Sequence, residues 1–266
     1  MAPGAQIIVE KSHNLLILSN SIMQGCDTLW KSIILKDGGR LETKNSTIRD
    51  AQYAVELTPD CALICEKTFF LDNFISIYGS SIYSNVHFRQ LNLMHNEFRT
   101  DRGLKRNFIG QSAVPVLSPV GAKGLAGIWI HNTNSFAIGR AQGFVTNRFR
   151  DLLNGIVIYN SDAYIYDVQC TNILTDNVTL AYQDNQASGD ILPNGNGVFV
   201  SNRFSASRGG FHILLQEGFG YHQNSTPSFN NCTNAINSIG NSMIVKNNNI
   251  LSVKNGISSS FVQKKQ

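Results

Sequence analysis

Charged residues are scarce in this chain of 266 residues, at 15% compared with about 25% in ordinary globular proteins. Hydrophobic residues make up 42%, so the chain can bury a large core behind a surface that is polar through uncharged side chains. The net charge is +4, and the basic residues are scattered apart from Arg99, Arg102, Lys105 and Arg106. Because a nucleic-acid-binding face needs clustered basic residues, we predict no nucleic-acid partner. We interpret this small cluster as a solvated loop, with a binding patch as the alternative.

Long apolar runs are also missing. No stretch of 18 apolar residues occurs, so we predict no membrane span. The first residues lack the basic segment and apolar segment of a signal peptide. The abrupt start, and the end at Gln266 just after a strand-like segment, lead us to expect a piece of a longer protein with further domains.

Cysteine usage gives no metal or disulfide framework. The five cysteines are Cys26, Cys61, Cys65, Cys170 and Cys232. An odd number excludes complete internal pairing, and neither a CxxC motif nor a Cys/His set with zinc spacing is present. We therefore expect most of these side chains to be small buried hydrophobes.

A recurring spacing is what the sequence has in abundance. A large apolar residue, here called the lead-in, is followed seven positions later by a second apolar residue, here called the mark, and a small residue usually precedes the mark. The seven pairs are Ile48 and Val55, Phe70 and Ile77, Phe149 and Ile156, Ile173 and Leu180, Phe204 and Phe211, Phe229 and Ile236, and Ile250 and Ile257. Self-similarity at a fixed period is typical of a solenoid.

The period of the marks identifies the kind of solenoid. It is about 22 residues once two insertions, near 89–126 and 183–196, are allowed for, and Ile128 supplies a further mark. Helical repeats need about 34 residues or more, and the leucine-rich signature is absent. The segments after the marks alternate with period two, which is typical of strands. We predict an all-β fold over 1–266, a single-stranded parallel β-helix of about nine or ten coils.

Polar residues two positions before the lead-ins fit the corners of such coils. Asn tolerates the left-handed backbone conformation and hydrogen-bonds to neighbouring backbone, so we predict stacked corners here rather than ligands. The column consists of Asn20, Ser46, Thr68, Asn147, Asn202 and Asn248.

The lead-ins, the small-Ile-x-Ile strands and the opening Pro3-Gly4-Ala5 resemble the right-handed parallel β-helix repeats of the pectin-lyase-like superfamily. The similarity is greatest to repeat regions of large secreted bacterial surface proteins. The resemblance implies a right-handed helix and a secreted or cell-surface location. It implies no particular activity, because one fold carries many functions.

The outward positions of the predicted strands give a candidate ligand site. Trp129, His131 and Tyr159 fall on one face, with His131 and Tyr159 at equivalent positions of adjacent coils. Aromatic rings beside amide and carboxylate groups suit carbohydrate, so a polysaccharide or surface glycan is the expected partner. The alternative is that the insertion at 89–126 folds over Trp129 and buries it.

The second insertion extends this candidate site with Gln183, Asp184 and Asp190. The two aspartates could hold calcium, but the same composition is typical of a surface turn, which we favour, so we predict no cofactor. His131 is a weak candidate for a general base. The motifs of β-helix glycosidases are absent.

We therefore predict a structural or adhesive module of a secreted or cell-surface bacterial protein, with carbohydrate binding as a possible role. The alternatives are a polysaccharide lyase or glycoside hydrolase acting at the same face, and a spacer without a ligand.

Overall fold

The computed structural model of the chain describes residues 1–11, 14–79, 86–107, 120–139, 146–175, 194–201, 212–216, 228–240, 242–246 and 248–260. Every regular element in these ranges is a β-strand, and the strands follow one another in coils of three. The first four coils consist of β1 (Gln6–Glu10), β2 (Leu15–Ser19), β3 (Ile22–Gln24); β4 (Trp30–Lys36), β5 (Arg40–Lys44), β6 (Thr47–Arg49); β7 (Ala51–Leu57), β8 (Ala62–Glu66), β9 (Phe69–Leu71); and β10 (Ile75–Gly79), β11 (Gln90–Met94), β12 (Glu97–Arg99).

The remaining coils repeat this order. They consist of β13 (Ala126–His131), β14 (Phe136–Ile138), β15 (Asn147–Arg150); β16 (Asn154–Tyr159), β17 (Ala163–Tyr166), β18 (Val168–Thr171); β19 (Asn196–Ser201), β20 (His212–Gln216), β21 (Phe229–Asn230); β22 (Asn234–Ile239), β23 (Ser242–Lys246), β24 (Ile250–Leu251); and β25 (Asn255–Ser260).

The sheets run along the stack of coils, and their strands pair in parallel. The first strands of all nine coils form a nine-stranded sheet, and the third strands form an eight-stranded sheet. The second strands form two four-stranded sheets, one of β2, β5, β8 and β11 and one of β14, β17, β20 and β23. This confirms the predicted parallel β-helix and its coil number. At a strand spacing of about 4.8 Å, the nine-stranded sheet extends for about 40 Å.

The marks lie in the nine-stranded sheet and point into the stack. Val55 pairs with Ile77, Ile77 with Ile128, and Ile128 with Ile156. All four side chains are fully buried in one apolar core that continues along the coils.

The position that follows Ile156 in this sheet was not predicted. After Ile156 the sheet continues directly to Val198, and Val198 pairs with Ile236. The marks predicted at Leu180 and Phe211 lie outside the described residues, and the strand after Phe211, β20, belongs to a four-stranded sheet.

The lead-ins are the inward residues of the eight-stranded sheet, where aromatic rings stack on one another. The ring centroids of Phe70 and Phe98 lie 4.8 Å apart, and those of Phe98 and Phe149 lie 4.7 Å apart. Phe98 was missed as a lead-in because an insertion follows it. Cys170, rather than the predicted Ile173, is the inward residue that pairs with Phe149 in this sheet.

The small residue before each mark has a steric cause. A Cβ atom at Gly127 would lie 2.5 Å from Cδ1 of Phe149, and one at Gly197 would lie 2.6 Å from Cδ1 of Phe229. Contacts this short do not occur, so the lead-in ring occupies the space that a side chain would need.

The predicted polar corner is present over the middle coils. Thr43 and Thr68 share a hydrogen bond of 2.7 Å, the Thr68 amide donates to Asn96, and the Asn96 amide donates to Asn147. All four are buried. The left-handed residues of this corner are the preceding ones, Asn20, Asn45, Lys67 and His95.

One predicted member of the corner column is displaced. Ser21, one residue after the predicted Asn20, donates its backbone amide to Ser46. Asn248 donates its side-chain amide to the carbonyl of Lys246, two residues earlier. Asn202 lies outside the described residues.

Candidate functional site

The predicted aromatic site lies on the outer face of the nine-stranded sheet. β13 and β16 pair so that His131 lies opposite Tyr159 and Trp129 opposite Val157, which confirms that His131 and Tyr159 hold equivalent positions. The rings of His131 and Tyr159 stack with centroids 5.0 Å apart, and Trp129 Nε1 donates to His131 Nε2 at 2.6 Å. The accepting Nε2 therefore carries no proton in this arrangement.

These side chains do not form an open surface. Trp129 is 1% exposed, Tyr159 4% and His131 7%. Trp129 and Tyr159 belong to a second apolar cluster, which also contains Leu104 and Leu125 from the segment between β12 and β13. Trp129 is buried, as the alternative expected, and residues of the insertion belong to its cluster. Ligand binding by the three residues stays a prediction, but no bare ring face supports it.

The insertion itself is shorter than predicted. β11 and β12 occupy 90–94 and 97–99 and are regular parts of the fourth coil. The inserted segment is therefore 100–125, of which 100–107 and 120–125 are described.

The remaining predicted ligand residues lie outside the described part of the chain. These are Gln183, Asp184 and Asp190, and with them the predicted calcium position. The position expected for Gln183 is held by Ser201, which pairs with Tyr159. Among the described residues, no group of three or more His, Cys, Asp or Glu side chains could hold a metal ion.

Sequence reasoning missed the feature that holds the insertion in place. Oδ1 of Asp72 accepts hydrogen bonds from three successive backbone amides, those of Asp101, Arg102 and Gly103, at 2.7, 2.8 and 3.1 Å. Its other oxygen pairs with Arg49. Asp72 is fully buried, and such a carboxylate is stable only when its charge and lone pairs are satisfied, as they are here.

A second ion pair anchors the same segment to the first two coils. Lys105 Nζ lies 2.9 Å from Oδ2 of Asp50 and donates to the carbonyl of Gly25 at 2.8 Å. The amide of Leu29 donates to the carbonyl of Arg106 at 2.8 Å. The predicted solvated loop is therefore a docked one. We call Asp72, Arg49, Asp50 and Lys105 the clamp.

A cleft of about 440 Å³ lies beside the clamp. Its walls are the turn after β3, the end of β6 and the inserted segment. Arg102 and Arg106 line it with exposed side chains, and neither guanidinium has a hydrogen bond or ion pair with any described residue. Thus the basic cluster divides into Arg99, which pairs with Glu97 at 3.0 Å, a structural lysine, and two arginines in a concave surface that pair with no described residue.

An asparagine ladder also went unnoticed in the sequence. Asn196 donates to Asn154 at 3.2 Å, Asn234 to Asn196 at 3.0 Å and Asn255 to Asn234 at 2.7 Å. The signal was available, because each of these residues precedes Gly or Ala and then the inward Ile or Val. The ladder satisfies the buried side-chain amides of Asn154 and Asn196 and continues to the exposed Asn255.

The cysteines are positioned as predicted. Cys61, Cys65, Cys170 and Cys232 are buried and Cys26 is exposed, and none forms a disulfide. Burial raises the pKa of Cys61 and Cys65 to about 12 and that of Cys232 to about 11. These thiols stay protonated at neutral pH and are poor nucleophiles.

Comparison with known proteins gives no relative, since no family model, no curated protein and no solved structure matches the chain. The resemblance to the pectin-lyase-like superfamily therefore stays a prediction. No described helix is long and apolar enough to span a membrane.

Proposed function

We propose that this chain is a structural or adhesive module, a rigid rod of a secreted or cell-surface bacterial protein. One observation carries the proposal. A single apolar core runs without interruption from Val9 in the first coil to Ile236 in the eighth. Interiors packed in this way deform little, so the rod suits holding other parts of a protein at a fixed distance.

Hydrogen-bonded ladders at the coil edges support the same function. The buried chain Thr68, Asn96 and Asn147 links successive coils across the insertion. The ladder from Asn154 to Asn255 does so for the last four coils. Each coil is tied to the next by side chains as well as by strand pairing, which resists bending at any one coil.

Location is the first test. Antibodies against the folded chain are applied to intact producing cells, to their culture medium and to lysed cells. The expected result is recognition on intact cells or in the medium, with the cell-bound signal removed by added protease. A signal that appears only after lysis would contradict the surface assignment.

Adhesion is the second test. The purified chain is applied to a glycan array, with the unfolding variant Ile156→Asp as the control. Binding that the variant loses supports an adhesive module, whereas a surface-exposed chain that binds no glycan supports the purely structural role.

A further inference from the structure

The cleft beside the clamp has rigid walls. The carboxylate of Asp72 fixes the backbone at Arg102 by accepting a hydrogen bond from the Arg102 amide. The amide of Leu29 fixes the backbone at Arg106 by donating to the Arg106 carbonyl. Between them, Leu104 exchanges two backbone hydrogen bonds with the far side of the inserted segment, donating to Ala122 at 2.9 Å and accepting from Gly121 at 2.8 Å. Both arginines therefore project from a backbone that is already ordered, which lowers the entropic cost of binding.

Charge in the cleft is unevenly compensated. Arg49 is neutralised by Asp72, and Lys105 by Asp50. Arg102 and Arg106 remain, opposed only by Asp27 among the acidic residues that line the cleft. Asp27 makes no ion pair with either arginine. A concave surface with two guanidinium groups that pair with no described residue concentrates anions.

The number of guanidinium groups indicates the shape of the anion. A planar carboxylate is matched by one guanidinium fork. A tetrahedral sulfate or phosphate ester has three terminal oxygens that point in different directions, so two separate guanidinium groups can bind it together. Arg102 and Arg106, four residues apart on one ordered segment, fit the tetrahedral group better.

The rest of the cleft suits a sugar that carries such a group. Gln24 and Asp27 are exposed at its rim and can bind hydroxyl groups. Val120 is 66% exposed and provides apolar surface for a ring face. A volume of about 440 Å³ lies in the range of small-ligand sites.

We propose that the cleft binds a sulfated or phosphorylated sugar, with Arg102 and Arg106 holding its tetrahedral oxyanion. The inference rests on the proposed function in one respect, since it takes a glycan as the ligand of an adhesive module. None of Trp129, His131 and Tyr159 lines this cleft, although Leu104 belongs both to its wall and to the second apolar cluster.

Calorimetric titration of the full chain tests the proposal. The probes are a disaccharide monosulfate, the corresponding phosphate ester, the unsubstituted disaccharide, a uronic-acid disaccharide and inorganic sulfate. The expected result is binding of one or both esters that weakens as salt increases. The double variant Arg102→Gln/Arg106→Gln should bind about 10- to 100-fold more weakly, because each lost charged hydrogen bond contributes about one power of ten.

The matched control is Arg148→Gln. Arg148 is an exposed arginine of β15 whose Nε donates to Gln169, and it does not line the cleft. This variant should bind as the wild type does. All three proteins should unfold at the same temperature, which shows that lost affinity is not lost folding.

Four results would overturn the proposal. They are no binding of either ester, equal binding of the unsubstituted disaccharide, preference for the uronic acid, and inorganic sulfate binding as tightly as the esters. None of these results bears on the surface location of the protein, because that location is tested separately by antibody binding to intact cells. Conversely, if the protein is found only inside cells but still binds the esters, the proposed surface function is refuted and the binding site is supported.

Discussion

In the middle coils the two faces of the nine-stranded sheet are both buried, for different reasons. On the inner face, Ile128 and Ile156 are covered by the neighbouring coils of the solenoid. On the outer face, Trp129 and Val157 are just as inaccessible, but they share their cluster with Leu104 and Leu125 of the insertion. Burial inside is a property of the repeat, whereas the outer cluster combines residues of the sheet with residues of a segment that interrupts the repeat.

The last two coils show what the outer face is without such a cover. The row that begins with Tyr78 and Trp129 passes through Phe199 to Asn237 and Ser258. Phe199 is 3% exposed, whereas Ser258 is exposed. The side chains thus change from aromatic to polar where the second cluster ends.

The largest expected effect comes from charging the inner face. Ile156→Asp places an unpaired carboxylate where the side chain is fully buried, and we expect a loss of more than about 4 kcal/mol in the free energy of unfolding. Urea unfolding followed by circular dichroism measures it. Ser258→Asp, with the same charge on the exposed outer face of that sheet, is the control. Similar losses from the two variants would invalidate the assignment of faces.

Truncating a side chain on the outer face should lower the free energy of unfolding less than a charge on the inner face does, and should disturb only the nearby inserted segment. Trp129→Ala removes the largest side chain of the second cluster, for an expected loss of about 3–5 kcal/mol. The strand signal in circular dichroism should persist, while limited proteolysis should cut within 100–125 more quickly than in the wild type. Trp129→Phe, which keeps a ring, should be cleaved at a rate between those of the wild type and Trp129→Ala. An unchanged cleavage rate would show that the insertion is not held by this cluster.

Weakening the clamp should loosen the insertion from the other side. Asp72→Asn keeps the size of the side chain but loses the charge that Arg49 and three backbone amides share. We expect the free energy of unfolding to fall by about 1–3 kcal/mol. Proteolysis within 100–107 should accelerate, and Trp129 fluorescence should shift towards that of an exposed indole. The exposed Asp101 does not accept these amides, so Asp101→Asn serves as the control. Equal proteolysis of the two variants would contradict the anchoring role.

The smallest effect concerns pH. Burial raises the pKa of Glu56, on the outer face of β7, and the nearby Lys31 ammonium offsets only part of that rise. A raised carboxyl pKa means that the folded chain binds the proton more tightly, so this residue lowers stability as pH rises above its ordinary pKa. Glu56→Gln should therefore raise the unfolding temperature at pH 7, and the gain should vanish below about pH 4.

Glu66→Gln is the matched control for this titration. Glu66 forms an exposed pair with Lys44 at 3.2 Å, so its replacement should give no gain at pH 7. If the rise in unfolding temperature of Glu56→Gln at pH 7 persists unchanged below about pH 4, the charge of Glu56 is not its cause.

Particular residues show how far the sequence could be interpreted. The marks Val55, Ile77, Ile128 and Ile156 were found correctly, because each must fill the same interior position and so keeps its chemistry. Val198, which follows Ile156 in the sheet, was not predicted, because a long coil offers several seven-residue spacings by chance. The candidate site, too, was predicted only in part. The register of Trp129, His131 and Tyr159 was predicted, while their cover was left between two alternatives.

The sequence by itself determined the parallel β-helix, many of its inward residues and its approximate number of coils. It could do so because stacked coils impose the same steric demand every turn, down to the glycine that a phenylalanine ring requires. Only the tertiary structure decided that Trp129 is buried, that Asp72 grips the insertion and that Arg102 and Arg106 face a cleft. Those contacts are each made once and follow no period, so no repeat could reveal them; the Asp72 contacts, for example, join residues 29, 30 and 31 apart in the chain.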